Sequence, residues 1–220
     1  MLVTKNEQLR TQVLDSIRET ILKERSGVHL SELIYCPRKA YFRRIGLAPK
    51  PDDNLCILWM TGYAFQAYMF PKDEEITEIL DGISCTPDIH RGIEVKSTRR
   101  SSKYFDFADQ ESWKVQILGY CKVLGKLEYD LVVFFVCGNY APPFPTLECW
   151  HIVATQEEVD ETWAIALRRK DNLILSLLQN VLPQPDCFDW EWEYCECIDQ
   201  CQDAPCYRKK QLKGNKREKK

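Results

Sequence analysis

The stretch Ile83-Ser84-Cys85-Thr86-Pro87-Asp88-Ile89-His90-Arg91-Gly92-Ile93-Glu94-Val95-Lys96-Ser97 decides how this chain is read. Two runs suited to strands flank a turn signal at His90-Arg91-Gly92, which predicts a hairpin of strands over 82–89 and 92–98. Alternate side chains of a strand share a face, so Glu94 and Lys96 should point one way and Val95 the other, into the core. The hairpin would set Asp88 across from Glu94. Two carboxylates able to reach one ion make a hard-cation site of the kind magnesium or manganese takes. Such an ion polarises a phosphate and lowers the pKa of an attacking water. Lys96 beside it could hold that water or neutralise charge growing on phosphate oxygens. Taken alone, D-x5-E-x-K is a short pattern, and charges at strand ends are often merely solvated. The rest of the chain has to carry the reading.

The 220 residues suffice for one domain with a sizeable core, and 45% hydrophobic with 29% charged residues is ordinary for a soluble protein. No apolar run reaches the roughly 18 residues of a membrane span, and the opening residues lack the apolar centre of a secretory signal. The expected setting is therefore cytoplasmic, away from membranes. In a reducing compartment the eleven cysteines are expected to be buried or metal-bound rather than disulfide-linked. A net charge of −3 announces no polyanion partner, but basic residues cluster locally. Arg38, Lys39, Arg43 and Arg44 form one group, Arg99, Arg100 and Lys103 another, and residues 208–220 a basic tail expected to be disordered.

Hydrophobic periodicity predicts helices over 6–24, 32–45 (opened by a Ser31 cap and closed by Gly46), 54–70, 109–124 and 157–179. Strands are predicted over 74–80, 82–89 and 92–98, with a buried central strand over 131–137 and an edge strand over 146–154. The plan is an α/β one: a mixed sheet flanked by helices, with helices over 6–70, a core over 71–182 and a Cys-rich segment over 183–206. That last segment is too polar and short to fold alone, so something must fasten it.

Three further constellations stand out. Gln116 and Tyr120 lie four apart, on one helical face, in the helix that follows the strand bearing Glu94 and Lys96. That position would lay them along the same cleft, able to reach a phosphate or a base edge. Cys195, Cys197, Cys201 and Cys206 crowd one irregular stretch with Cys187 just before it, which suits zinc or an iron-sulfur cluster. Cys56, Cys85, Cys121, Cys137 and Cys149 fall in helices and strands and read as small core residues. Finally, Cys36 precedes Pro37-Arg38-Lys39, an unusual setting for a core thiol. Tied to the C-terminal cysteines, it would close a loop of about 160 residues, whose chain entropy makes such a tie strongly stabilising.

In order and spacing, Cys36-Pro37-Arg38-Lys39, Gly62 with Gln66, Pro87-Asp88 with Glu94-x-Lys96, Gln116-x3-Tyr120 and the clustered cysteines resemble the RecB-like nucleases of the PD-(D/E)XK superfamily. More narrowly they resemble the CRISPR-associated exonuclease that is the fourth Cas protein, over about residues 28–206. The resemblance implies a restriction-endonuclease-like core. It implies a 4Fe-4S cluster on Cys36, Cys197, Cys201 and Cys206, with Cys195 as an alternate ligand and zinc as the alternative to the cluster. It assigns manganese or magnesium to Asp88, Glu94, the carbonyl of Val95 and Gln66, and catalytic roles to Asp88, Glu94, Lys96, Gln116 and Tyr120. Arg38, Arg99, Arg100 and Lys103 would bind DNA. Two departures are visible: Gln66 stands where the family has histidine, and the cysteines read C-x3-C-x4-C rather than C-x2-C-x5-C. The activity implied is exonucleolytic cleavage of single-stranded DNA or overhangs, feeding a CRISPR integrase complex, with a homo-oligomer among the assemblies it allows. The alternatives are a recombination exonuclease of a virus or mobile element, and an iron-sulfur DNA-binding subunit that has lost turnover.

Overall fold

A computed structural model describes residues 6–21, 26–69, 78–85, 92–136, 145–188, 191 and 195–204. Helix α1 (Glu7–Ile21) is followed by strand β1 (Val28–His29), the short α2 (Leu30–Leu33), α3 (Pro37–Arg44) and α4 (Asp53–Met69). Strands β2 (Glu78–Leu80), β3 (Ile83–Cys85) and β4 (Ile93–Thr98) come next, then α5 (Glu111–Leu124), β5 (Glu128–Phe135), β6 (Thr146–Val153) and α6 (Gln156–Gln179). Among the described residues no helix is long and apolar enough to cross a membrane.

The expected helix over 32–45 is in fact two. Pro37 is the cause: its ring excludes the α conformation from the preceding residue, and Cys36 is accordingly extended at φ −50°, ψ 133°. Proline then serves well as the first residue of α3, where its missing N–H would have gone unpaired anyway. The cap also differs from expectation, because His29 rather than Ser31 opens α2, its backbone N–H donating to the Glu32 carboxylate at 3.0 Å.

Among the described residues the strands form two three-stranded mixed sheets. β3 lies between β1, parallel, and β2, antiparallel. β5 lies between β4, parallel, and β6, antiparallel. Among the described residues β3 does not pair with β4 as the predicted hairpin required, and β4 takes β5 as its partner. Residues 86–91, Asp88 included, lie outside the described residues. β5 is the buried centre of its sheet, as its apolar run implied.

On one face of this sheet Leu131, Val133 and Phe135 are sealed in the core, beneath the aromatic rings of Phe105 and Trp150. On the other face α4 packs on the β4 side. Phe65 stacks on Phe134 with centroids 4.2 Å apart, and a methyl group on Gly62 would lie 3.5 Å from the Ser97 hydroxyl. This cover stops short of β6, where Leu147, Cys149 and Val153 are exposed. Cys149 is therefore not the core residue its strand position suggested, whereas Cys56, Cys85 and Cys121 are buried as expected; Cys137 lies outside the described residues.

Candidate functional site

Glu94 and Lys96 both project from the core-facing side of β4, as strand alternation requires. Glu94 is only 5% exposed, so in this sheet the carboxylate is the more deeply set and Val95 is half-buried. A buried carboxylate needs a partner, and Lys96 supplies it, with Nζ 2.6 Å from Glu94 Oε1. The same ammonium donates to Gln116 Oε1 at 2.6 Å. Gln116 Nε2 then donates to the Tyr120 hydroxyl, also at 2.6 Å. A continuous chain of polar contacts thus runs from Glu94 on β4 through Lys96 to Gln116 and Tyr120 on α5. Four residues that the sequence separates by up to 26 positions are brought into one line.

Tyr120 closes that line from within. Its side chain is buried, with its ring 5.8 Å from that of Tyr129. Its hydroxyl receives the Gln116 amide and orients it. Gln116 in turn fixes the Lys96 ammonium, which has three donors, two of them used by Glu94 and Gln116. Gly119 explains how α5 comes this close to the N-terminal helices. A Cβ there would lie 2.6 Å from Leu30 Cδ2, and Leu30 is itself buried.

The ladder to β5 orients the backbone of Val95. Gly92 O accepts from Asp130 N at 2.7 Å and Thr98 O accepts from Val136 N at 2.9 Å. In a parallel ladder the residues of one parity bond to one neighbour, so positions 92, 94, 96 and 98 turn their carbonyls to β5. Val95 turns its carbonyl to the opposite edge of β4, which pairs with no strand among the described residues. Gln66 is one turn beyond Gly62 and on the same helical face, against the side of the sheet that carries Ser97. Among the described residues no three acidic, histidine or cysteine side chains converge to hold one metal ion; Asp88 lies outside them. The oxygen donors at hand, a carboxylate and a free-edge carbonyl, suit a hard divalent cation.

A second cluster forms at the other end of the molecule. Cys36, Cys187, Cys195, Cys197 and Cys201 line one pocket with Arg38, Lys39, Pro185, Glu191 and Ile198. Position in sequence pointed to Cys36, Cys195, Cys197 and Cys201, but not to Cys187 as a member. A hydrogen bond from Cys187, helped by backbone N–H groups at Arg38 and Asp186, lowers the Cys36 thiol to about 7 against burial. The Cys197 thiol likewise lowers Cys195 to about 7 and is itself pushed up. Burial raises Cys201 to about 11, with Arg38 opposing. For comparison, burial alone lifts the core thiol of Cys85 to about 12. Five thiols lining one pocket are soft donors of the kind zinc and iron-sulfur clusters take, but among the described residues no three of them converge to hold one metal ion. Cys206 lies outside the described residues.

Arg38 is not available to DNA as its basic neighbours suggested. It is 4% exposed, its guanidinium grips both Asp203 oxygens at 2.7 and 2.8 Å, and Nε donates to Pro183 O at 2.7 Å. It clamps the Cys-rich segment to α3. Arg169 on α6 does the same from below: fully buried, it donates to the carbonyls of Leu33, Ile34 and Asp186 and to Glu191 Oε1. Glu191 Oε2 accepts from Cys36 N at 2.7 Å. Lone arginines and glutamates are commonplace in sequence, and only burial reveals these two. Arg99, Arg100 and Lys103 remain exposed.

No protein-family model and no curated protein matches this sequence. The chain is similar in structure to SSO0001, known from a crystal structure, with a TM-score of 0.50 and 19% identity over 88% of this chain and 96% of that one. It is also similar, with a TM-score of 0.41 and 11% identity over 70% of this chain and 97% of that one, to a phage-related exonuclease from Haemophilus somnus 129PT. At 19% identity the likeness to SSO0001 is one of fold.

Proposed function

We propose that this chain is a metal-dependent deoxyribonuclease with a PD-(D/E)XK core, cleaving single-stranded DNA or overhangs. The observation that carries the reading is the contact line from Glu94 through Lys96 and Gln116 to Tyr120, together with the Val95 carbonyl turned to an open strand edge. Nothing in the packing of a core requires a buried carboxylate, an ammonium and an amide in series, and each is costly to bury singly. Glu94, the Val95 carbonyl, Asp88 and Gln66 would hold magnesium or manganese. When bound, such an ion supplies Lewis-acid polarisation of the phosphate and a more acidic water. Lys96, held at fixed position by Glu94 and Gln116, donates its remaining N–H to the nucleophile or to a phosphate oxygen where negative charge builds up.

In this reading the cysteine pocket holds a 4Fe-4S cluster through Cys36, Cys201 and Cys206 with Cys197 or Cys195, and Cys187 is a further thiol within reach. The cytoplasmic setting, expected from hydropathy, and a role beside a CRISPR integrase complex, expected from the sequence resemblance, belong to the same proposal. One assay tests the core of it: end-labelled single strands incubated with purified protein and manganese or magnesium. Cleavage that chelation stops and that Glu94→Gln abolishes is the expected result, and full activity in Glu94→Gln overturns the reading. Protein purified without oxygen should be brown, and Cys36→Ser colourless; a colourless wild-type protein holding one zinc would replace the cluster by zinc.

A further inference from the structure

The connection from β4 to α5 has no task in the chemistry just described, yet it is firmly built and oddly decorated. It leaves β4 through Arg99 and Arg100, makes a short helical turn at Ser102–Tyr104 and a second at Phe107–Asp109, and enters α5. Both turns are capped: the Ser101 hydroxyl accepts from Lys103 N at 3.3 Å, and the Asp106 carboxylate accepts from Ala108 N at 2.8 Å. Arg100 N donates to the Thr98 hydroxyl at 3.1 Å. Between the turns Phe105 is driven inward, its ring 5.5 Å from Trp113, 5.1 Å from Phe135 and 5.3 Å from Trp150. With Phe105 anchored in extended backbone, the side chain before it must point outward. That side chain is Tyr104, 79% exposed, with the Lys103 ammonium 5.4 Å from its ring centre.

A single exposed aromatic needs no explanation. Tyr104 differs in its company. Arg99, Arg100 and Lys103 are all exposed, no acidic residue occurs between Glu94 and Asp106, and the loop begins three residues past Lys96, about 10 Å at the rise of a strand. It also leaves the C-terminal end of a parallel strand, where α/β sheets commonly bind ligands. An exposed ring framed by cations is the combination that binds unpaired nucleic acid: cations follow the phosphates and the ring stacks on a base. Inside a duplex each base is already stacked on both sides, so an exposed ring engages an unpaired base far more readily than a paired one.

We infer that Tyr104 is a base-stacking residue, held rigid by Phe105 and flanked by Arg99, Arg100 and Lys103, which selects single-stranded DNA for the Glu94–Lys96 site. The inference rests on the nuclease reading for its biological meaning, but binding alone tests it. Affinity of the full-length protein for a fluorescent oligonucleotide, single-stranded or as a blunt duplex, is measured across a salt series without added divalent metal. Tyr104→Ala should weaken single-strand binding about 5- to 100-fold, leave duplex binding and the salt dependence unchanged, and Tyr104→Trp should restore affinity. Arg99→Ala and Arg100→Ala should weaken both substrates and each flatten the single-strand salt slope by about 0.7. Wild-type single-strand affinity in Tyr104→Ala, or an equal loss on both substrates, overturns the inference. Tyrosine-dependent binding by a wild-type protein that cuts nothing with manganese or magnesium would sink the nuclease reading and leave this one standing.

Discussion

At the scale of single residues the polar line from β4 to α5 ranks its members. Glu94→Gln should stop cleavage while leaving DNA binding largely intact, because the carboxylate serves a metal and an ammonium rather than the substrate. Lys96→Ala removes a charge needed chiefly in the transition state, and kcat should fall about 100- to 1,000-fold with KM little changed. Tyr120→Phe removes only the hydroxyl that receives the Gln116 amide. Its effect should be smaller than that of Gln116→Ala and confined to kcat, which single-turnover kinetics would show; a larger loss from Tyr120→Phe would mean that the tyrosine itself meets the substrate. Arg38→Ala should leave DNA affinity unchanged at matched stability, since its guanidinium is spent on Asp203 and Pro183.

At the scale of elements, two contacts deserve measurement. Gly119 lets α5 touch Leu30 of α2, and Gly119→Ala should cost about 1–3 kcal/mol by overpacking, visible as a lowered urea midpoint with unchanged slope. The contact between α1 and α4 depends on Asp53, which accepts from both Arg10 and Arg18. The Arg10 hydrogen bond foremost holds the Asp53 carboxyl below the usual aspartate range. A depressed folded-state pKa contributes stability that is complete above the unfolded value, about 3.9, and is lost as pH falls through the folded one. Hydrogen exchange from α1 should therefore quicken below about pH 4, and Asp53→Asn should erase that dependence. α6 needs no such help, since Thr155 and Glu158 cap its start reciprocally.

For the molecule as a whole, the question is what fastens the Cys-rich segment to the N-terminal helices. A cluster through Cys36 would do so, and two arginine clamps tie the same segments by protein contacts alone, Arg38 to Asp203 and Arg169 to Glu191. Arg169 is the deeper one, wholly buried against Glu191, whose carboxyl is pushed up by burial with Arg169 opposing. Arg169→Met would strand that carboxylate in the interior and should destabilise the chain by about 3–5 kcal/mol, whether or not metal is bound. Limited proteolysis of metal-free protein checks it: cutting in residues 183–204 should appear in Arg169→Met and not in the wild-type protein. If wild-type protein is cut there as readily once metal is removed, the clamps are too weak and the thiols alone hold the segment.

Much of this was legible in the chain. Long helices such as α5 and α6, the buried run of β5 and the edge position of β6 follow from period and composition, because burying one face of an element is a local demand. The shared face of Glu94 and Lys96 and the pairing of Gln116 with Tyr120 follow from the repeats of strand and helix. What only the tertiary structure decided is which strand β4 joins, that Glu94 is more buried than Val95, that Cys187 belongs to the thiol pocket, and that Arg38 is a clamp rather than a phosphate ligand. Strand partnership is a choice among distant segments with similar apolar patterns, and no local signal ranks them. Likewise an arginine reads identically in sequence whether its guanidinium faces solvent or a carboxylate 165 positions away; burial and pairing arise only when the chain has closed on itself.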